Sequence, residues 1–157
     1  MSQPDIQTLK ILLEREEADR ETAEIGMRQA ERYLSRIDEQ MAQFEKYRAD
    51  YIARWQDEFG HHGGIEILRC YRSYMGRLDE AISQLTAQQT HAQASLRRAR
   101  TLLLEAETRV AGIRKLMERR VETHERGERR REQKHTDEMA QRAAWLHRPG
   151  ATLGAVS

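Results

Sequence analysis

A repeating apolar stripe, broken at a single place, constrains the fold of this chain more than any other feature. Its first half runs from Ile6 to Trp55 at alternate steps of three and four residues. Only three charged residues interrupt this half: Glu16, Arg20 and Arg48. Such spacing is that of a coiled-coil seam, in which one stripe of a helix is buried against another helix. The repeat therefore predicts an all-α chain built from long helices.

The second half of the stripe mirrors the first. It runs from Leu68 to Met117 with the same spacing. Between the halves lies FGHHGG, residues 59–64, the only cluster of turn-forming residues in the first 145 positions. If the chain reverses near position 62, Trp55 faces Leu68 and Ile6 faces Met117. Two stripes of equal length, mirrored about one turn, predict a long antiparallel two-helix coiled-coil hairpin.

The second helix is predicted to continue well beyond its stripe. Residues 118–135 contain no apolar seam, and twelve of these eighteen residues are charged. After them, Met139, Trp145 and Leu146 form an apolar patch before Pro149 ends the helix. An isolated helix is marginal in water without tertiary contacts. We therefore expect this C-terminal helical overhang and its patch to bind a partner.

These patterns predict one domain over residues 1–157, a hairpin with an overhang. Its predicted parts are a first helix at about 4–58, a turn at 59–64, a second helix at about 65–146 and a disordered tail at 148–157. Pro4 and the early acid Asp5 mark the start of the first helix.

Composition narrows the classes of partner. Charged residues make up 34% of the 157 residues and aromatic residues 6%, which is typical of long solvated helix. The 27 basic and 26 acidic residues nearly balance, whereas a general nucleic-acid binder carries a basic excess. No apolar run approaches the ~20 residues that span a bilayer, and the N-terminus lacks a signal-peptide core. We expect a cytoplasmic protein that neither inserts into a membrane nor binds nucleic acid.

The sequence offers no constellation for catalysis or for a cofactor. His61 and His62 are adjacent, but no set of three or four ligands accompanies them at metal-site spacing, so we interpret them as part of a turn. The glycines fit no phosphate-binding motif. Cys70 precludes an intramolecular disulfide because it is alone, and its place beside Tyr71 predicts a buried small hydrophobe. We expect no enzyme, no bound metal and no cofactor.

A ridge of aromatic and neighbouring side chains lies on both sides of the predicted turn. Its members recur at helical spacing: Gln40, Phe44, Tyr47 and Tyr51 before the turn, and Tyr74, Leu78, Ala81 and Leu85 after it. Four of them belong to the apolar stripe and are explained by packing: Phe44, Tyr51, Leu78 and Leu85. Tyr47 and Tyr74 lie outside it, and exposed aromatics with polar tips are favoured interface anchors. Packing and binding both remain open for the ridge.

The chain resembles the flagellar type III export family FliJ. The resemblance rests on four segments in order: the leucine-bearing first helix, DEQMAQFEKYRADY at 38–51, YRSYMGRLDEAISQL at 71–85, and DEMAQRAA at 137–144. Each segment alone is a weak signal, because coiled coils share composition. Their order and spacing extend the resemblance over nearly the whole chain.

The resemblance implies a function that the stripes alone do not. Members of the family are non-catalytic two-helix coiled coils similar to the central stalk of rotary ATP synthases. They insert into the hexameric ring of the flagellar export ATPase and promote its activity. They also contact the cytoplasmic domain of the export gate protein and help recycle export chaperones. A cytoplasmic protein associated peripherally with the inner-membrane export apparatus is thus expected.

The resemblance also implies two sets of binding residues. For the export gate they are Gln40, Phe44, Tyr47, Tyr51, Tyr74, Leu78 and Ala81. Phe44 and Tyr74 are conservative departures from the family pattern, and Leu85 is left out because a histidine can stand there. For the ATPase ring, within the overhang at 118–146, they are Arg130, Arg131, Met139, Gln141, Arg142 and Trp145.

Three other functions remain as alternatives. An equivalent stalk protein of a virulence injectisome would share the mechanism, although DEMAQRAA favours the flagellar branch. A coiled-coil holdase chaperone would grip unfolded clients with its open end. The basic run ERGERRREQK could contact nucleic acid, but its interspersed acids favour a solvated face.

Overall fold

The computed structural model describes residues 5–59, 61 and 64–147, and these residues form two α-helices without a strand. Helix α1 is Ile6–Phe59, and helix α2 is Ile65–Leu146. The two helices pack as an antiparallel hairpin, which confirms the predicted fold class. The predicted tail at 148–157 lies outside the described residues.

Asp5 starts helix α1 by capping it. Its carboxylate Oδ1 accepts a hydrogen bond from the backbone N–H of Gln7 at 3.1 Å, and its carbonyl accepts one from Leu9 at 3.0 Å. A side-chain oxygen at this position satisfies one of the donors that a helix N-terminus leaves without an intrahelical partner. The acid that marked the helix start in the sequence therefore acts as its N-cap.

The contacts of the described residues group into two compact units. The turn unit comprises residues 15–110, and the terminal unit comprises the residues up to 14 together with those from 111 onward. Each unit contains a part of both helices.

Within the turn unit, the buried side chains are members of the predicted stripe. They are Ile37 and Met41 on α1, and Met75, Leu78, Leu85, Ala92, Leu96, Ala106 and Val110 on α2. Val110 is 2% exposed and Ala92 only 1%. Alternate steps of three and four residues keep these side chains on the face that meets the other helix, since they average close to one helical turn.

The three charged residues that interrupt the stripe differ in burial and in hydrogen bonding. Glu16 is half-buried and accepts a hydrogen bond from Arg109 Nε at 2.9 Å. Arg48 is exposed and donates from Nε to Asp79 at 2.9 Å. Arg20 is half-buried, and its Nε has no hydrogen-bond partner among the described residues. The Nε of Arg20 is buried, and a buried polar atom without a hydrogen bond lowers the stability of the seam at this point.

Within the terminal unit, the seam is short. Leu9 and Ile113 are buried, at 2% and 8% exposure, and Leu13 and Met117 are half-buried. No helix among the described residues combines the length and apolar character needed to cross a membrane.

The turn between the helices is only partly described. His61 donates its backbone N–H to Glu58 at 3.0 Å, and Leu68 donates to the Gly64 carbonyl at 3.2 Å. Gly60, His62 and Gly63, which complete the predicted turn, lie outside the described residues.

Candidate protein-binding sites

Aromatic rings join the two helices beside the turn. Tyr51 stacks on Tyr71 with ring centroids 5.9 Å apart and an interplanar angle of 7°. The same Tyr51 ring lies 4.1 Å from that of Tyr74, and Trp55 lies 5.2 Å from Tyr71. Such pairs add to the free energy of simple burial because ring edges and faces carry opposite partial charges. This end of the turn unit is therefore held by aromatic contacts in a chain with few aromatic residues.

The predicted gate-binding residues differ in how far they are exposed. Leu78 is buried, Phe44, Tyr51 and Ala81 are half-buried, and Gln40, Tyr47 and Tyr74 are exposed. Tyr47 exposes 54% and Tyr74 41% of its surface, although Tyr47 also contacts Phe44 edge-on at 6.4 Å. Packing within the hairpin accounts for Leu78 but leaves large parts of both tyrosines accessible to a partner.

A seven-residue repeat continues the pattern of Tyr47 and Tyr74 along both helices. We call these positions the uncharged flank: Gly26, Tyr33, Gln40 and Tyr47 on α1, and Tyr74, Ala81, Gln88, Ser95 and Leu102 on α2. Ala81 and Ser95 are half-buried and the other seven are exposed. Away from the turn, the next residues of the repeat are the charged Asp19 and Arg109, so the uncharged flank ends there at Gly26 and Leu102. Toward the turn, the next residue on α1 is the charged Arg54, so the flank ends at Tyr47 on that helix.

The opposite side of the seam carries a different repeat. We call it the charged flank: Glu24, Glu31, Asp38 and Glu45 on α1, and Arg72, Asp79, Thr86, Gln93 and Arg100 on α2. All four positions on α1 are acidic. Side chains adjacent to the seam on one side of an antiparallel pair meet their counterparts from the other helix, so each flank is a separate surface.

The contacts between the helices differ from one flank to the other. On the charged flank, Glu31 pairs with Arg100 at 3.8 Å and Asp38 accepts a hydrogen bond from Gln89 at 2.7 Å. On the uncharged flank, Tyr74 contacts the stripe residue Tyr51 of α1, with ring centroids 4.1 Å apart.

Tyr33 and Leu102 were not singled out in the sequence as candidate binding residues. The signal that identifies them is the position of each residue beside the stripe, not its hydrophobicity. Tyr33 and Tyr47 stand one residue before stripe members on α1, as Leu102 does on α2. When the two stripes pack against each other in antiparallel orientation, Tyr33, Tyr47 and Leu102 lie on the same flank of the seam.

A second candidate site is the final part of helix α2. From Val121 to Leu146 every residue except Gly127 is exposed. Met139 exposes 55% of its surface, Trp145 69% and Leu146 74%. This segment therefore buries almost nothing against the rest of the terminal unit, and its apolar side chains are available for a partner.

The predicted ring-binding residues share one side of this helix. At about 100° per residue, five of them fall within about 120° of the helix circumference, and Met139 lies beyond that edge. The five are Arg130, Arg131, Gln141, Arg142 and Trp145. Glu138, Gln141, Arg142, Trp145 and Leu146 line a shallow groove that is open to solvent. Arg142 lies one turn from Trp145, and Arg130 and Arg131 lie about 21 Å before Trp145 along the same side, so this side suits a protein surface with acidic and apolar parts.

The structure corrects the prediction for Cys70, which is exposed and not buried. Stripe members Leu68 and Tyr71 point toward the other helix and are half-buried. Cys70 is one residue before Tyr71, a rotation of about 100°, which carries its side chain away from the seam.

No group suited to metal binding occurs among the residues that the structure describes. His61 Nδ1 lies 3.0 Å from the carbonyl oxygen of Asp57, one turn earlier in the chain. This contact ties the ring to the end of α1. His62 lies outside the described residues.

Comparison with known proteins identifies the family to which this hairpin belongs. Neither a curated protein nor a solved structure matched the chain. A family profile, described as flagellar FliJ protein, matched residues 6–149 and therefore most of the chain. This family is a non-catalytic component of flagellar type III export. The chain belongs to the flagellar FliJ protein family.

Proposed function

We propose that this chain is the central stalk of the hexameric flagellar export ATPase and links that ring to the export gate and to export chaperones. Its final helical segment enters the ring, and the surface around Tyr47 and Tyr74 meets the cytoplasmic domain of the gate protein. The protein acts in the cytoplasm and associates peripherally with the inner-membrane export apparatus. Family membership supports the general role, and the two exposed surfaces support the assignment of partners.

The single observation that carries the stalk proposal is the exposure of α2 between Val121 and Leu146. A helix of this length without tertiary contacts gains little stability from its own chain. A ring with a central opening would surround such a helix and contact several sides of it. The mixture of charged residues with Trp145 and Met139 suits contacts around its circumference.

Truncation after Met117 tests the stalk proposal. Between residues 118 and 147 all but Arg120 and Gly127 are exposed, so the remaining hairpin should keep its helicity and its midpoint of thermal unfolding. We expect the truncated protein to lose stimulation of ATP hydrolysis by the cognate export ATPase. Circular dichroism provides the folding control, and a coupled assay measures hydrolysis.

Full stimulation of the ATPase by the truncated chain would refute the placement of this segment in the ring. A chain that suppresses aggregation of many unfolded proteins, without stimulating the ATPase, would instead identify a holdase chaperone. Neither outcome depends on the gate contact, which is measured separately.

Alanine substitutions test the gate contact. Tyr47→Ala and Tyr74→Ala should each weaken binding to the purified cytoplasmic domain of the gate protein, because both side chains are exposed. The matched control is Tyr71→Ala: this half-buried ring packs between the helices, so its loss should lower stability more than it weakens binding. Unchanged binding by both exposed-tyrosine variants would leave these residues with a role in packing alone.

A further inference from the structure

We infer that the whole uncharged flank, from Tyr47 and Tyr74 to Tyr33 and Leu102, is one docking surface for an amphipathic α-helix of the gate partner. The contact stripe of that helix is apolar and carries no charge. This inference rests on the proposed function, since it describes what the gate-binding site accepts. It adds residues that neither the family resemblance nor the ridge near the turn includes.

The first argument is the absence of charge. Charged residues make up 34% of this chain, yet nine successive positions of the repeat carry none: four on α1 between Asp19 and Arg54, and five on α2 before Arg109. The opposite flank has the same geometry and is acidic at all four of its α1 positions. Packing of the hairpin therefore tolerates charged residues beside the seam, and it does not explain why the uncharged flank lacks them. A surface of this kind favours a partner that also lacks charge at the contact, because an unpaired charge buried there would lose its hydration.

The second argument is that large side chains on this flank are not buried between the two helices. Leu102 exposes 59% and Tyr33 45% of its surface. Between them and the tyrosines near the turn lie Gln40 on α1, and Ala81, Gln88 and Ser95 on α2. These small or uncharged side chains keep the surface continuous and let a partner helix approach closely.

The third argument is the period of the surface. Both helices present their flank residues every seven residues, which is the repeat that a third helix matches when it packs beside a coiled coil. An extended segment alternates its side chains every two residues and rises about 3.3 Å per residue. It would not keep the same side chains in register with this surface over several heptads. The repeat therefore favours a helical occupant over an extended one.

Charge insertion tests the extent of the surface. Tyr33→Glu and Leu102→Glu should each weaken binding to the purified cytoplasmic domain of the gate protein by at least about tenfold. The matched controls are Ile25→Glu on α1 and Leu104→Glu on α2, which introduce the same charge at residues 50% and 64% exposed but off the flank. The controls should bind like the unaltered chain, and all four variants should remain helical.

Crosslinking tests whether the occupant is a helix. In a Cys70→Ser chain, Tyr33→Cys and Tyr47→Cys place single thiols fourteen residues apart on α1, about 21 Å along the helix. Each thiol is crosslinked to the gate domain, and the linked partner residues are identified by mass spectrometry. A helical partner should be linked at sites about 14 residues apart, and an extended one at sites about 6 apart.

The outcomes separate the inference from the proposed function. If Tyr47→Ala weakens gate binding but Tyr33→Glu and Leu102→Glu do not, the gate contact stands and the extended surface is refuted. Linked sites about 6 residues apart would refute the helical occupant. If the unaltered chain does not bind the gate domain, the gate contact and the extended surface both fail, and the placement in the ring is unaffected. If the unaltered chain sediments as a dimer that Leu102→Glu dissociates, the occupant is a second copy and the inference is overturned.

Discussion

Replacement of Trp145 by alanine should weaken binding to the export ATPase without weakening the fold. A buried tryptophan removes about 150–250 Å² from water. Because Trp145 is 69% exposed in the free chain, about 140 Å² remains to be buried by a partner. At about 25 cal/mol per Å² this area corresponds to an upper limit of about 3.5 kcal/mol. Ordering of the side chain opposes part of this gain, so we expect a loss of about 2 kcal/mol, or roughly 30-fold in Kd.

The free energy of unfolding should change by less than about 0.5 kcal/mol in the same variant, since the side chain is mostly in solvent. Leu116→Ala provides the control, because Leu116 is exposed on α2 but precedes the segment assigned to the ring. Calorimetric titration against the assembled ATPase measures Kd, and urea unfolding followed by circular dichroism measures stability. An unchanged Kd for Trp145→Ala, or an equal loss for Leu116→Ala, would refute the reasoning.

Three further predictions concern the hairpin itself. Val110→Ala should destabilise the chain by about 2 kcal/mol, because this 2% exposed side chain loses buried methyl groups and leaves a cavity; an unshifted urea midpoint would contradict this. Arg48→Ala should cost less than about 1 kcal/mol, since its ion pair with Asp79 is about half exposed, and the cost should shrink further when unfolding is measured in high salt. Cys70 should react with a maleimide in the folded protein, and protection until urea is added would show that the side chain is covered.

The two helices and their seam could be predicted because burial imposes a period on the sequence. Every predicted stripe member on α2 is buried or half-buried, including Gln89, whose side chain reaches Asp38. On α1 only Arg48 is exposed among them. An apolar period identifies which side of a helix faces its partner, and the mirrored stripes identify the partner.

Residues beside the seam were harder to predict from the sequence. Cys70 is next to a stripe member along the chain but about 100° away around the helix, so proximity in sequence gave the wrong burial. Tyr33 and Leu102 are far apart in sequence and share a surface only because the helices are antiparallel. Hydrophobicity alone therefore does not predict that Tyr33 and Leu102 belong to one surface. That prediction also requires the side of the seam on which each residue lies.

The exposed end of α2 affects which amino-acid substitutions this protein can accept. Because residues between Val121 and Leu146 contribute almost no burial, substitutions there leave the packing of the hairpin unchanged. The main constraint on these residues is then the surface of the partner. Affinity for that partner can also change without a new contact, through the helicity of the free segment. Gly127 illustrates this, since an added Cβ would meet nothing within 4 Å. Gly127→Ala should make the free segment more helical by about 1 kcal/mol and so raise affinity for any partner that binds it as a helix.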